Sequence, residues 1–196
     1  MDEELGDAGL GWIAAEPAYM QRASHALVDG GRVWLVDPVE GEGLDERVRA
    51  LGEPAGVIQL LDRHPRDCAA LARRYGVPLH VVPFGGVPGS SFEARRVVRI
   101  PRWNEIALWW PARKTLVVAD ALGTLGYFRA PGERLGLHPL LRLFPPRQLA
   151  DLEPEHVLFG HGRGVHGPET TAAFREALTT SRRRIPSWLL GFAGRR

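Results

Sequence analysis

Aspartate, histidine and cysteine side chains stand directly after predicted strands at three places in this chain. The segments are 60–71, with His64, Asp67 and Cys68; 115–124, with Asp120; and 156–167, with His161 and His166. Loops at strand ends present functional side chains from a rigid scaffold. Carboxylate, thiolate and imidazole groups are also the side chains that bind zinc and iron. Position and chemistry together make the three segments candidates for one common site.

Each of these residues also has an ordinary structural interpretation. Asp120, at the end of an apolar strand, is able to cap the turn that follows it. Asp67 lies near a predicted helix start, where a carboxylate suits the positive end of the helix dipole. His161 stands between two glycines, as a histidine in a turn would. The order and spacing of the three segments carry more information than any single residue.

Strand and helix patterns alternate along the chain, which indicates an α/β fold. Predicted strands cover 24–29, 32–37, 57–61, 79–82, 95–100, 105–110, 115–120 and 157–159, and predicted helices cover 44–51, 66–75, 148–152 and 168–180. The middle of the chain has hairpins where a doubly wound sheet would have helices. We therefore predict two packed sheets with helices outside. One domain spans residues 1–196, with an acidic segment at 1–9 and a basic, apolar tail at 183–196 as peripheral parts.

In their order, these segments resemble the metallo-β-lactamase superfamily over roughly residues 10–180. ASHALVDGGRVWLVDP resembles the first two strands of that family and ends near Asp37, and LLDRHPRDCAAL stands where the family carries HxHxDH. TLVVADAL resembles the strand that ends in the metal-bridging aspartate, here Asp120, and LFGHGRG resembles the last motif, whose histidine is here His161. The resemblance implies an αββα sandwich of two packed mixed sheets, with the site at one edge.

The HxHxDH region departs from the family pattern. Aligning helix with helix places Asp67 and Cys68 on the DH pair, but the two preceding histidines then fall on Arg63 and Pro65. Shifting the alignment to use His64 as a ligand places an arginine, Arg66, on the aspartate instead. Neither register restores the full motif.

A second departure concerns the histidine that the family carries shortly before the Asp120 strand. This chain has no histidine between His80 and His138, and the stretch reads RIPRWNEIALWW. The resemblance therefore implies one zinc or iron ion at most, or none. The implied ligands are Asp67, Asp120 and His161, with Cys68 or His64 as a fourth, and Asp67 and Asp120 are the implied catalytic residues.

Two functions remain open at this point. The first is a metal-dependent hydrolase of a small ester, thioester or phosphoester, because a metal ion lowers the pKa of its bound water. The second is a non-catalytic member that binds an anionic ligand or a protein partner in the old cleft. The residues expected to line that cleft are Arg63, Arg66, Trp103, Asn104 and His166. Substitution of Asp120 separates the two functions.

Composition restricts the partners and the compartment. The 25 basic and 23 acidic residues give a net charge of only +2, so we expect no nucleic-acid partner despite a pI of 9.1. No apolar run approaches the ~20 residues that cross a bilayer, so we expect no membrane partner. A single cysteine and an acidic N-terminus favour a cytoplasmic protein. Tryptophan and leucine in the tail would suit a homodimer contact.

Overall fold

Two mixed β-sheets pack face to face in the computed structural model, which describes residues 2–14 and 20–193. The first sheet has the spatial order β1 (Asp2–Glu4), β2 (Gly9–Ile13), β3 (Ala23–Asp29), β4 (Arg32–Val36), β5 (Glu53–Gln59) and β6 (Leu79–Val81). The second contains β7 (Glu93–Ile100), β8 (Trp103–Trp110), β9 (Thr115–Val118), β12 (His156–Phe159) and β13 (Val165–His166), in the spatial order β13-β12-β9-β8-β7. A separate two-stranded ribbon pairs β10 (Leu122–Gly123) with β11 (Gly136–Leu137).

Helices lie on the outside of the sandwich. They are α1 (Leu44–Leu51), α2 (Cys68–Tyr75), α3 (Thr170–Thr180) and α4 (Ile185–Ala193). The alternating side chains of β4 show the layers: Val33 and Leu35 join the core under α1 and α2, whereas Trp34 and Val36 join the core between the sheets. This architecture confirms the predicted sandwich of two mixed sheets with helices outside. None of the helices within the described ranges is long and apolar enough to span a bilayer.

The predicted glycine turn between β3 and β4 is confirmed. Asp29 pairs with Arg32, which leaves Gly30 and Gly31 as a two-residue loop. Both glycines have positive φ, 58° and 76°, as a tight hairpin turn of this kind requires.

Helix α2 begins two residues later than the sequence predicts. Arg66 has a φ of +39°, which is incompatible with a right-handed helix, and Asp67 occupies the position before the first helical residue. The helix ends at Gly76, whose left-handed conformation lets its N–H donate to the carbonyl groups of Ala72 and Arg73. The late start matters because the loop before it carries His64.

Both peripheral segments contain regular secondary structure. Residues Asp2–Glu4 form the edge strand of the first sheet and pair with β2. Helix α4 contacts the loop after β10, where Trp188 Nε1 donates a hydrogen bond to the carbonyl of Tyr127 at 2.8 Å. Residues 194–196 of the predicted tail lie outside the described residues. The predicted helix at 148–152 is a short 3₁₀ turn, Arg147–Leu149, which follows Pro146.

Parallel pairing places the ends of several strands at one edge. Strands β4 and β5 run parallel in the first sheet, and β9 and β12 run parallel in the second. Asp37 follows β4, Asp120 follows β9 and His161 follows β12, whereas the loop after β5 carries His64. The fold therefore brings side chains from both sheets to a common edge.

Candidate metal centre

His64, Asp120 and His161 converge at this edge of the sandwich. Asp120 Oδ1 lies 3.2 Å from His64 Nε2 and 3.3 Å from His161 Nε2. One ligand atom from each residue lies within 4.8 Å of the other two. The side chains are 10%, 18% and 13% exposed in the order His64, Asp120, His161. This cluster is therefore largely shielded from water.

The hydrogen bonds of the two imidazoles fix which nitrogen faces the cluster. His64 Nδ1 lies 3.1 Å from Asp37 Oδ2, and His161 Nδ1 lies 2.9 Å from the carbonyl oxygen of Met20. Both partners are acceptors, so each Nδ1 carries a proton, and Nε2 of each ring is the nitrogen that faces Asp120. A carboxylate or carbonyl behind a histidine is the usual way in which a metal-binding imidazole is oriented.

Two imidazole Nε2 atoms and a carboxylate oxygen thus meet at a point where a cation, either a proton or a metal ion, can be held between them. Asp120 Oδ1 is buried, and neither imidazole nitrogen meets hydrogen-bond geometry towards it within the described part of the chain. Two imidazoles and one carboxylate suit zinc or iron, so the residues present fit a metal ion of this class.

The pKa values of the cluster reflect the same electrostatic arrangement. Burial raises the pKa of Asp120, but contacts with His161 and His64 outweigh it and hold the pKa well below its usual range. Burial lowers the pKa of His64, and contacts with Asp120 and Asp37 more than offset that effect, so its pKa is raised. The carboxylate therefore stays ionised and attracts positive charge into the site.

Asp37 supports His64 from a fully enclosed position. Its side chain is buried, and Oδ1 accepts the backbone N–H of Leu60 at 2.8 Å while Oδ2 faces His64. The φ of Asp37 is +43°, in the left-handed region that aspartate tolerates better than most residues. The sequence marked Asp37 only as the end of a strand, and the structure shows that it orients an imidazole.

Arg66 holds the backbone around the cluster. Its guanidinium donates to the carbonyl groups of Ala23 at 2.5 Å, Asp37 at 2.8 Å and Gly160 at 2.8 Å. These carbonyl groups come from β3, the end of β4 and the loop after β12. Arg66 was expected to line a ligand cleft, but its terminal nitrogens bind these backbone oxygens and so join the two sheets.

We expect Arg66→Lys to lower the free energy of unfolding by about 2–4 kcal/mol, because an ammonium cannot reproduce the planar three-carbonyl contact. Thermal unfolding should show a fall in Tm of roughly 5–15 °C. Arg63→Lys is the matched control, since Arg63 is about half-exposed and its replacement should change stability by less than ~0.5 kcal/mol. Equal stabilities for the two variants would contradict this role of Arg66.

Glu105 lies directly behind Asp120 and was missed by sequence reasoning. It is fully buried, and its Oε1 accepts the backbone N–H groups of Asp120 at 3.0 Å and Ala121 at 2.9 Å. Its Oε2 accepts Trp103 Nε1 at 3.1 Å. Burial, with the nearby Asp120 carboxylate, raises the pKa of Glu105 to about 7. The sequence did carry one signal for this residue, since Glu105 is a charged residue inside an otherwise apolar predicted strand.

Cationic and aromatic side chains lie beside the cluster. Arg63 stacks on Trp103, with its Cζ 4.8 Å from the ring centroid, and its Nη2 lies 3.6 Å from Asp120 Oδ2. The ring of His138 meets Trp103 edge-on at 4.8 Å, and its Nε2 lies 3.2 Å from the Tyr127 hydroxyl. Because His138 Nδ1 accepts the backbone N–H of Leu140, Nε2 is the donor and the Tyr127 proton is directed elsewhere.

Asp67 and Cys68 do not join the cluster. Asp67 Oδ2 accepts the backbone N–H of Glu40 at 2.8 Å, and Cys68 is buried in the core beneath α2. Burial, with the Asp37 charge nearby, raises the pKa of the Cys68 thiol to about 12. The alignment of helix with helix assigned Asp67 and Cys68 to the metal site. The structure places His64 there instead, because the late start of α2 turns Asp67 and Cys68 away from the cluster.

Two further residues predicted to bind a ligand have other partners in the structure. The backbone and side-chain amides of Asn104 both donate to Asp62 Oδ2, at 2.9 and 2.8 Å. His166 pairs with His156 at the opposite end of the second sheet, because β12 and β13 form a hairpin that carries it away from the cluster. Of the predicted cleft residues, Arg63 and Trp103 remain beside the cluster.

We expect the Cys68 thiol to react very slowly with a disulfide reagent at pH 8 in the folded protein and rapidly in denaturant. A thiol with a pKa of about 12 is almost entirely protonated at that pH, and the side chain is 1% exposed. Cys68→Ala should also retain its metal content. Loss of the metal in Cys68→Ala would contradict this result and would mean that Cys68 is a metal ligand.

The fold is similar to that of several solved structures. The metallo-β-lactamase DIM-1 aligns with a TM-score of 0.60 and 11% identity, over 92% of this chain and 97% of that one. TTHA1623, solved in a di-iron-bound form, aligns with a TM-score of 0.57 and 17% identity, over 86% and 98%. A metallo-β-lactamase from Erythrobacter litoralis aligns with a TM-score of 0.56 and 10% identity, over 96% and 92%. No protein-family model matches the sequence, and no curated protein matches it significantly.

The structural matches confirm that the chain has the metallo-β-lactamase fold that the sequence motifs indicate. They cover almost the whole of this chain and of the matched chains. At these identities the likeness concerns the fold, and the chemistry of this chain must be argued from its own residues.

Proposed function

We propose that this chain is a hydrolase that uses one zinc or iron ion, held by His64, Asp120 and His161, to cleave a small ester, thioester or phosphoester. One observation supports the proposal most strongly: the Nε2 atoms of two oriented imidazoles converge on a buried carboxylate oxygen that has no partner in hydrogen-bond geometry among the described residues. The metallo-β-lactamase fold of the chain is consistent with this chemistry. A bound ion would supply a Lewis acid and lower the pKa of water for attack on the substrate.

The residues of the chain divide the remaining tasks. His64 and His161 are held in one tautomer by Asp37 and by the carbonyl of Met20, which removes the need to reorganise them during reaction. Asp120 stays ionised and completes the ligand set. His64, Asp120 and His161 would hold the ion with three protein ligands, which would leave room for water or substrate as a catalytic site requires.

Arg63 supports an anionic substrate. Its guanidinium is about half-exposed, and it is held over Trp103 next to Asp120. A planar guanidinium binds carboxylate or phosphate groups with two parallel hydrogen bonds.

Tyr127 provides a hydrogen-bond donor for the substrate. Its hydroxyl oxygen accepts the proton of His138 Nε2, so the hydroxyl is free to donate its own proton to the substrate.

The experiment is a hydrolysis assay with untagged protein loaded with zinc or iron. The probes are a neutral p-nitrophenyl ester, an acyl thioester and a p-nitrophenyl phosphodiester. We expect metal-dependent turnover that falls by at least about 100-fold in Asp120→Asn, since a lost outer partner of a metal ligand alone typically costs 10- to 100-fold. Arg63→Gln should raise KM for a charged substrate and leave the neutral ester unchanged.

A non-catalytic anion-binding protein is the second candidate. The specific observation in its favour is the position of Arg63, 3.6 Å from Asp120 Oδ2, where it partly neutralises the carboxylate without a metal. The same assay separates the two functions. Absence of turnover in metal-loaded protein, with phosphate binding that is lost in Arg63→Gln and kept in Asp120→Asn, would replace the hydrolase with the binding protein.

A further inference from the structure

A cavity lies between the two sheets at the end opposite the candidate metal centre. Its volume is about 440 Å³, within the usual range of small-molecule sites. Thr115 and His156, which line it, begin β9 and β12, whose other ends lead to Asp120 and His161. Five residues of strand separate the two ends by roughly 16 Å. This cavity, which we call the distal cavity, is therefore separate from the metal centre.

The walls and roof of the distal cavity are mainly apolar. Leu27 comes from the first sheet, and Trp110 and Leu158 come from the second. Leu5 and Ala8 cover the cavity from the turn between β1 and β2. Apolar walls on both sides favour a ligand with a ring or a short hydrocarbon body.

The charged residues at the rim pair with each other. Both terminal nitrogens of Arg113 contact the carboxylate of Asp7, at 2.9 and 2.8 Å. Arg113 also lies over the ring of Trp110, 5.7 Å from its centroid. Since each charge is matched by the other, the rim presents no net charge to a ligand.

The two histidines that line the distal cavity contact each other through their ring nitrogens. His156 Nδ1 and His166 Nδ1 lie 3.0 Å apart, with ring centroids at 5.2 Å, so the nitrogens meet head-on and only one proton fits between them. Burial, and then the neighbouring His166, lower the pKa of His156. Because its pKa is lowered, His156 offers hydrogen bonds from an uncharged imidazole at neutral pH.

Thr115 supplies an acceptor in the same cavity. Its hydroxyl proton is donated to the carbonyl of Arg113 at 3.0 Å, so its oxygen retains lone pairs for a ligand donor. A hydroxyl group matches this environment well, because it donates to Thr115 and also exchanges a hydrogen bond with an imidazole. A carboxylate would lack the proton that Thr115 requires.

We propose that the distal cavity binds a small uncharged ring compound that carries a hydroxyl group. Apolar walls hold the ring, Thr115 and His156 bind the hydroxyl, and the paired charges of Asp7 and Arg113 close the rim. This site does not depend on the hydrolase function, since none of its residues belongs to the metal cluster.

The test is an NMR titration of the ¹⁵N-labelled full chain with 2-naphthol, and separately with 2-naphthoate as a charged probe of the same shape. We expect 2-naphthol to shift the amide signals of Leu27, Trp110 and Leu158 with a Kd below about 1 mM, and 2-naphthoate to bind at least about 10-fold more weakly. Thr115→Val removes one hydroxyl at nearly constant volume and should weaken 2-naphthol binding about 3- to 10-fold.

Two variants locate the binding. Ala8→Leu fills the cavity from its roof and should abolish the shifts in a protein whose spectrum remains folded. Asp120→Asn changes the metal centre and should leave the Kd for 2-naphthol unchanged. The proposal is overturned if 2-naphthol causes no shifts at 1 mM, if 2-naphthoate binds equally well, if folded Ala8→Leu still binds, or if Asp120→Asn abolishes binding.

Discussion

Replacing His161 with alanine is expected to lower the zinc affinity of the chain by at least about 100-fold. Loss of an outer partner of a metal ligand already costs 10- to 100-fold, and removal of the ligand itself must cost at least as much. The fold should survive, because the backbone of His161 is held by a bridge to Arg22 that does not involve the imidazole. Isothermal titration of metal-free protein with zinc measures the effect.

His166→Ala is the control for this variant. It removes an imidazole from the same β12–β13 hairpin, but from the end that lies away from the cluster. Its zinc affinity at the tight site should stay within about threefold of the wild type, well under the ~1.4 kcal/mol that a tenfold change represents. Equal losses in both variants would mean that the hairpin, and not the His161 imidazole, holds the ion.

The second large effect is expected at Glu105, which we assign as a positioning residue for Asp120. Each of its contacts is a donor: the N–H groups of Asp120 and Ala121, and Trp103 Nε1. In Glu105→Gln the new amide must direct its own N–H groups at one of these donors. We expect zinc affinity to fall about 10-fold or more, and the free energy of unfolding to fall by about 1–3 kcal/mol.

A readout beyond stability distinguishes positioning from packing. Cobalt(II) in place of zinc reports ligand geometry through its visible absorption, and the spectrum should change in Glu105→Gln. Leu108→Ala is the matched control, because it weakens the same strand from a fully buried position without contacting Asp120 through hydrogen bonds. An unchanged cobalt spectrum in Glu105→Gln, with a stability loss like that of the control, would make Glu105 a packing residue only.

Much of the fold was predictable because its signals are local. The paired glycines at 30–31 define a hairpin, and the runs of alternating or continuous apolar residues define the strands. Asp120 and His161 were predictable as well, since each follows a strand that runs parallel to its neighbour and therefore ends at the same edge. The helix boundaries were predicted less accurately, since α2 begins two residues after its predicted start.

The ligand from the first sheet depended on tertiary structure. Both registers of the segment 60–68 were compatible with the sequence, because His64, Asp67 and Cys68 are all competent ligands. The left-handed conformation of Arg66 and the contacts of its guanidinium with three carbonyl groups select His64. No local pattern reports contacts between residues that lie 29 to 94 positions apart.

Glu105 was missed for a related reason. A carboxylate in a predicted strand is ordinarily assigned to the solvent face, whereas this one accepts hydrogen bonds from the turn that follows β9. That turn comes next to Glu105 only after β8 and β9 have paired. Buried polar groups of this kind satisfy partners that the sequence does not place nearby.

Metal content tests the central claim most directly. Untagged protein, purified without chelator and incubated with excess zinc or iron, is desalted and analysed by elemental mass spectrometry beside Asp120→Ala. The arrangement of His64, Asp120 and His161 predicts about one equivalent in the wild type and almost none in the variant. No bound metal in the wild type, or an equal amount in Asp120→Ala, would contradict a metal centre at this edge of the sandwich.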